Sequence, residues 1–202
     1  MRRLAVAERR EALVGAAVRV MRRDGPAAGT TRAVVAEAGM SLASFHYAFA
    51  SRGELLAELV HRVVGRELAA ATEAMAAAHP ADVAGCLRAA AGGYLDHLGA
   101  DPGAEQLMLE LTLHAARAPE LRPIAAVQYR AYTDAAAQLL MHAAGSTGSS
   151  WYRPVEELAR LLVAVVDGVT TAWLVDRDTA AARAALDAAA DLFAAAATGA
   201  GA

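Results

Sequence analysis

The chain has 202 residues and a mass of 20.8 kDa; 56% of it is hydrophobic, only 5% is aromatic, and alanine fills 56 positions. That length holds one large domain or two small ones, the alanine content favours helix over sheet, and 20% charged residues with a net charge of −3 exclude a disordered chain. The charge is uneven: residues 1–54 carry nine arginines against five acids, whereas 55–202 carry ten against seventeen, with no lysine anywhere. A basic first quarter on an acidic body suits a nucleic-acid-binding head.

Met1 to Arg10 lack the apolar core of a secretory signal. Leu13, Ala16, Ala17, Val20 and Met21 recur at helical spacing and predict a helix from Glu8 to Arg23, stopped by Asp24-Gly25-Pro26. Thr30 or Thr31 caps a second, short helix carrying Val34, Val35 and Ala38, which closes at Gly39, the residue suited to the left-handed C′ position. Ser41 caps a third from Leu42 to Phe49, expected to bury Ala43, Phe45 and Phe49 and to leave Leu42, Ser44, His46 and Tyr47 on the other side. Ser51-Arg52-Gly53-Glu54 is a capping box, in which the serine hydroxyl accepts the N3 amide and the glutamate reaches back to the N-cap amide.

A long helix therefore starts at Ser51 and runs to His79. Pro80, Pro102, Pro123 and Pro154 punctuate the rest of the chain, predicting helices near 80–99, 102–117, 123–144 and 154–175. The last of these carries a wide stripe of Leu158, Leu161, Leu162, Val165, Val166, Val169, Ala172 and Trp173. Asp176-Arg177-Asp178-Thr179 breaks it, a final helix covers Ala180 to Ala197, and the tail from Thr198 to Ala202 is expected to fray. The longest uncharged run, Ala135 to Tyr152, is interrupted by Gln138, His142 and two glycines, so no membrane span is expected. The single cysteine, Cys86, rules out an intrachain disulfide and a multi-thiolate zinc site, in keeping with a cytoplasmic protein. The expected fold is all-α with about nine helices.

Two short helices joined at Gly39 behind a support helix make a helix-turn-helix, whose second helix enters the major groove. Thr30, Thr31 and the helix start at Ser51 then offer hydroxyls and amides to phosphates. A plain helical hairpin within an all-α enzyme or scaffold is the alternative. The string from Thr30 to Leu56, with Ala36-Glu37-Ala38-Gly39-Met40-Ser41 at the turn and Phe45-His46-Tyr47-Ala48-Phe49 after it, resembles the DNA-binding head of the TetR family of transcriptional regulators. The resemblance covers about residues 8–60 and implies DNA contacts from Thr30, Thr31, Arg32, Ser41, Leu42, Ser44, His46, Tyr47 and Arg52. Four positions depart from the family pattern. Val35 replaces a small residue, His46 a tyrosine that touches the backbone, Ala48 a histidine or tyrosine, and Arg52 the lysine at a phosphate-facing helix start.

Beyond the head the resemblance is architectural and includes Asp167-Gly168 in the penultimate helix. It implies an apolar effector pocket among helices four to eight and a dimer formed by the last two. Cys86, Tyr94, His97, Met108, Thr112, His114, Gln128, Tyr132, Asp167 and Thr171 are the polar and soft groups on those helices suited to lining an effector cavity. Leu158, Leu162, Val166, Val169 and Trp173 are the expected dimer seam; their stripe is too wide and apolar to leave in water, burial within its own subunit being the alternative.

Enzyme signatures are absent from the sequence. Glu58-Leu-Val-His61 is a single Glu-x-x-His where a di-iron bundle needs two, and there is no nucleophile elbow, phosphate-cradling glycine loop or zinc helix motif. No catalytic residues, metal or cofactor are expected. The sequence reads as a cytoplasmic, homodimeric regulator that binds a double-stranded operator and a small apolar effector. Residues 1–51 form the helix-turn-helix domain and 52–202 the effector-binding and dimerisation domain. A repressor is the principal reading, with an activator or a DNA-independent ligand-binding dimer as the alternative and a helical enzyme third.

Overall fold

A computed structural model of the chain describes residues 5–118 and 121–198. The expectations for the first four residues, and for the tail from Gly199 onward, lie outside the described residues. The described residues form nine α-helices: α1 (Val6–Asp24), α2 (Thr31–Glu37), α3 (Leu42–Ala48), α4 (Arg52–Ala78), α5 (Val83–Ala100), α6 (Pro102–Arg117), α7 (Arg122–Thr147), α8 (Val155–Asp176) and α9 (Thr179–Ala194). A 3₁₀ turn, Pro26–Ala28, precedes α2. The fold is all-α, and the chain divides into two compact units, Met1–Val63 with Gly103–Tyr129 and Val64–Pro102 with Arg130–Ala202.

In the first unit α1 buries the expected stripe of Leu13, Ala16, Ala17, Val20 and Met21, and Val14 with it. Gly39 takes the predicted left-handed conformation, with φ +62°, and the amide of Met40 closes on the carbonyl of Val35 at 2.8 Å. The third helix differs from its predicted facing. Ala43 is exposed and Ala48 is buried, because the inward side is set by Phe45 and Phe49, and Ala48 lies beside them at i+3 whereas Ala43 is two residues off that face. The capping box differs too. Ser51 Oγ accepts the Glu54 amide at 3.1 Å as expected, but the Glu54 carboxylate reaches past the N-cap to the amide of Ala50 at 2.7 Å. Its other oxygen is held by Arg10 at 2.9 Å, which draws the side chain toward α1.

In the second unit α5 packs against α4 and α9. A Cβ on Gly93 would stand 2.4 Å from the carbonyl oxygen of Ala70 and 2.7 Å from Cβ of Ala74, so the crossing of α4 and α5 admits no side chain there. Gly93→Ala is expected to cost about 1–3 kcal/mol by overpacking and to lower the melting temperature by several degrees; an unchanged melting curve would mean that the crossing is loose.

The seventh helix runs through Gly145 to Thr147, three residues beyond the prediction. Burial of Ala143 and Ala144 and bonds from Ser146 and Thr147 hydroxyls back to the Ala143 carbonyl hold this turn. It stops at Gly148, with φ +64°. The ninth helix stops earlier than predicted, at Ala194. The chain after it turns back to form an isolated antiparallel bridge between Trp151 and Ala197, and the amide of Thr198 donates to the Ser150 carbonyl at 2.7 Å. Thr198 is therefore tied down rather than frayed.

Candidate nucleic-acid interface and effector groups

Each short helix is capped by its expected hydroxyl. Thr30 Oγ1 accepts the Ala33 amide at 3.2 Å, and Ser41 Oγ accepts the Ser44 amide at 3.2 Å while lying 3.1 Å from the Ser44 hydroxyl. Opposite the buried Phe45, Ala48 and Phe49, helix α3 presents Leu42 at 45% exposure and Tyr47 at 67%, with His46 exposed between them. Arg32 is exposed on α2, whereas Thr31 and Ser44 are half-buried. The guanidinium of Arg9 lies 4.9 Å from the centre of the Tyr47 ring, which stacks that ring from the α1 side. Leu42, His46 and Tyr47 thus share one exposed side of a short, doubly capped helix.

Guanidinium groups hold this head in shape. Arg10 donates to the Ala48 carbonyl at 2.8 Å, to Glu54 at 2.9 Å and to Glu58 at 3.2 Å, and lies 4.2 Å from the centre of the Phe49 ring. One side chain on α1 therefore fixes the end of α3 and the first turns of α4. Arg19 and Arg23 bind the Glu37 carboxylate at 2.8 and 3.1 Å and tie α1 to α2. The pKa values follow the contacts. The Ala50 amide and then Arg10 hold Glu54 below its ordinary value, Arg62 and then Arg10 do so for Glu58, and Arg19 and Arg23 for Glu37.

Arg52, expected at the phosphates, donates Nε to the Gly29 carbonyl at 2.7 Å and Nη2 to the Pro26 carbonyl at 3.1 Å. Its guanidinium ties the start of α4 to the turn before α2, a positioning contact. Arg52→Ala is expected to lower the melting temperature by several degrees, through bonds worth about 1–3 kcal/mol, and to leave the salt slope of DNA affinity unchanged. A slope lower by about one would instead make Arg52 a phosphate contact. Neither Arg10 nor the inward turn of Arg52 was legible in the periodicity; the acids Glu54 and Glu58, four apart on α4, were the only hint that a cation faces them.

The expected effector groups fall in two sets. Met108, Thr112, His114 and Gln128 belong to the first unit, and Cys86, Tyr94, His97, Tyr132, Asp167 and Thr171 to the second. Within the first, Gln128 Nε2 and the Thr112 hydroxyl both donate to the Met108 carbonyl at 3.0 Å. The start of α6 packs on the end of α1, since a Cβ on Gly103 would lie 3.5 Å from the Arg22 guanidinium carbon, and α7 meets α4 where one on Gly53 would lie 3.6 Å from Ile124.

Within the second unit the Tyr94 hydroxyl lies 2.5 Å from Thr170 Oγ1, both buried. Thr171, expected on an apolar face, is exposed and donates back to the Asp167 carbonyl at 2.7 Å; the helical register turns Thr170 inward in its place. Cys86 is fully buried at the edge of an open pocket of about 260 Å³ shared with Met75, His79, His142 and Ser146. His97, Tyr132 and Asp167 are half-buried.

The expected seam also divides. Leu158 and Trp173 pack inside the second unit, the Trp173 indole N–H donating to Thr179 Oγ1 at 3.0 Å, while Leu162, Val166 and Val169 are half-buried. Sequence reasoning missed Glu105, which is buried on α6 in register with Met108, Leu111 and Ala115. An acid falling on an apolar helical face was the available signal.

Residues 13–59 match a family model described as bacterial regulatory proteins, tetR family, and residues 78–195 match the tetracyclin repressor-like C-terminal domain. The chain is similar to the HTH-type nicotine-responsive transcriptional repressor HdnoR of Paenarthrobacter nicotinovorans, at 27% identity over 182 residues, covering 86% of this chain and 88% of that one. A solved structure of a TetR-family transcriptional regulator from Rhodococcus sp. shares the fold, with a TM-score of 0.76 at 22% identity over 93% of this chain and 99% of that one. The multidrug binding protein EbrR, complexed with imidazole, is 31% identical with a TM-score of 0.60, over 88% of this chain and 92% of that one.

Proposed function

Because the chain belongs to the TetR family of bacterial regulatory proteins, ligand-responsive DNA-binding repressors rather than enzymes, we propose that it is a cytoplasmic homodimer released from its operator by a small, largely apolar effector. Residues 1–51 serve as the DNA-binding domain and 52–202 as the effector-binding and dimerisation domain. The observation that carries the reading is the exposed side of α3, where Leu42, His46 and Tyr47 face outward from a helix whose position Arg10 fixes. A head held by ion pairs on its inner side keeps its outer side free to read base edges in the major groove, while the capped helix starts at Thr30, Ser41 and Ser51 meet phosphates.

Dimer formation is supported by α8. It has the length and mean hydropathy, 1.7, of a membrane span, yet only 28% of that window is buried within the chain, and Leu161 stands 54% exposed on it. A second copy of α8 and α9 would cover that face. The nicotine response in the name of HdnoR and the imidazole held by EbrR support a small organic effector.

Fluorescence anisotropy with duplex fragments from the region adjoining the gene tests the reading. Affinity is expected to fall linearly with the logarithm of salt concentration. It should also be selective for one fragment with two half-sites about one helical turn apart. Equal, weak binding to every duplex would overturn the proposed function.

A further inference from the structure

Two side-chain oxygens in the first unit, Glu105 Oε1 on α6 and Gln128 Oε1 on α7, are buried and have no hydrogen-bond partner among the described residues. Glu105 is 6% exposed and Gln128 2%. The carboxamide of Gln128 is oriented by its nitrogen, which donates to the Met108 carbonyl and leaves the oxygen as the open group. Glu105 stands three residues before Met108, on the same face of α6 and one turn nearer its start. The Thr112 hydroxyl hydrogen is given to the same Met108 carbonyl and does not answer the Gln128 oxygen.

Both open groups are acceptors. A buried acceptor left unmatched is unfavourable, and an ionised carboxylate more so. A site built this way discriminates by charge. An anion is repelled and a neutral hydroxyl brings lone pairs of its own, whereas a protonated nitrogen offers donors and the opposite charge. The buried neighbours along α6, Leu107, Met108 and Leu111, are apolar and suit a hydrocarbon or aromatic body.

We propose that Glu105 and Gln128 are the polar end of a binding site for an organic cation with N–H donors, a protonated amine on an apolar body. The inference rests on the reading of the chain as an effector-responsive regulator and narrows its effector from apolar to amphipathic and cationic. The site lies in the compact unit that carries α3, and α6 begins against the end of α1, so a ligand drawn to Glu105 acts on the unit that reads DNA.

Calorimetric titration of the full-length protein with 4-phenylbutylamine and with its neutral analogue 4-phenylbutan-1-ol tests it. The amine is expected to bind the native protein about tenfold more tightly than the alcohol, the scale of one charge-assisted hydrogen bond. Glu105→Gln should remove that preference and leave alcohol affinity unchanged. Without ligand, Glu105→Gln should melt higher than the native protein, because a neutral amide is easier to bury than an unpaired carboxylate. Gln128→Met supplies a second variant and should weaken amine binding several-fold.

Equal affinity of the native protein for the two probes, or an amine preference that survives in Glu105→Gln, would sink the proposal and leave an effector site standing. If neither probe binds, the cationic site is refuted; the wider reading falls only if DNA binding lacks salt dependence and sequence selectivity as well.

Discussion

The native protein is expected to sediment at twice the chain mass, and Val166→Glu is expected to sediment as a monomer and to bind operator more weakly by two orders of magnitude or more. Val166 is half-buried on α8, whose Val163 and Trp173 already face the core of the second unit, so its remaining surface is what a second copy would cover. Two-fold symmetry places the new carboxylate in the seam twice. Each charge then meets a desolvation penalty of several kcal/mol in the proposed apolar seam. DNA affinity follows assembly, because one subunit then engages one half-site alone and loses an avidity gain of about 10²–10⁴. Sedimentation at micromolar concentration alongside anisotropy measures both. A variant that keeps the dimer mass would place the interface elsewhere.

Arg10→Met should destabilise the DNA-binding head by about 2 kcal/mol, lowering the melting temperature by roughly 4–8 °C, and should reduce operator affinity although Arg10 lies on the inner side. The substitution keeps most of the aliphatic packing. It removes the bonds to Ala48, Glu54 and Glu58 and the cation over Phe49, leaving two acids on adjacent turns of α4 without the charge they share. The pH dependence gives a second readout. A carboxyl whose folded pKa lies below its unfolded value, about 4.3 for glutamate, contributes stability above that value and loses it as pH falls through the folded pKa. Glu37, Glu54 and Glu58 are of this kind, so the native head should lose stability in acid.

In Arg10→Met the shares of Glu54 and Glu58 shrink without vanishing, since the Ala50 amide and Arg62 still lower them, and Glu37 is unaffected. The stability gap between native and variant should therefore be widest near neutral pH and narrow toward pH 3. A gap independent of pH would mean that Arg10 acts through packing on Phe49 rather than through its ion pairs.

The helices were legible because the signals that make them are local. The stripe of α1, the hydroxyl caps at Thr30, Ser41 and Ser51 and the left-handed Gly39 each concern residues within four positions of one another, the reach of a helical hydrogen bond. The resemblance from Thr30 to Leu56 placed those helices in a DNA-binding head, and the exposed side of α3 carries the expected Leu42, His46 and Tyr47. Where a helix end depends on a distant partner, local signals misjudged it. Helix α7 outruns its glycine because Ala143 and Ala144 are buried.

The sequence by itself determined the fold class and the hydroxyl-capped helix starts at Thr30, Ser41 and Ser51, which are properties of local spacing, and its resemblance from Thr30 to Leu56 pointed to the family. Only the tertiary structure decided what the long polar side chains do. It set Arg52 on the Gly29 and Pro26 carbonyls, brought Arg10 to acids 44 and 48 residues away, and left Glu105 buried with an oxygen that meets no hydrogen-bond partner among the described residues. The physical reason is reach. An apolar residue is placed by its own helix face, whereas a guanidinium or carboxylate at the end of several rotatable bonds takes its partner from whatever element folding sets beside it.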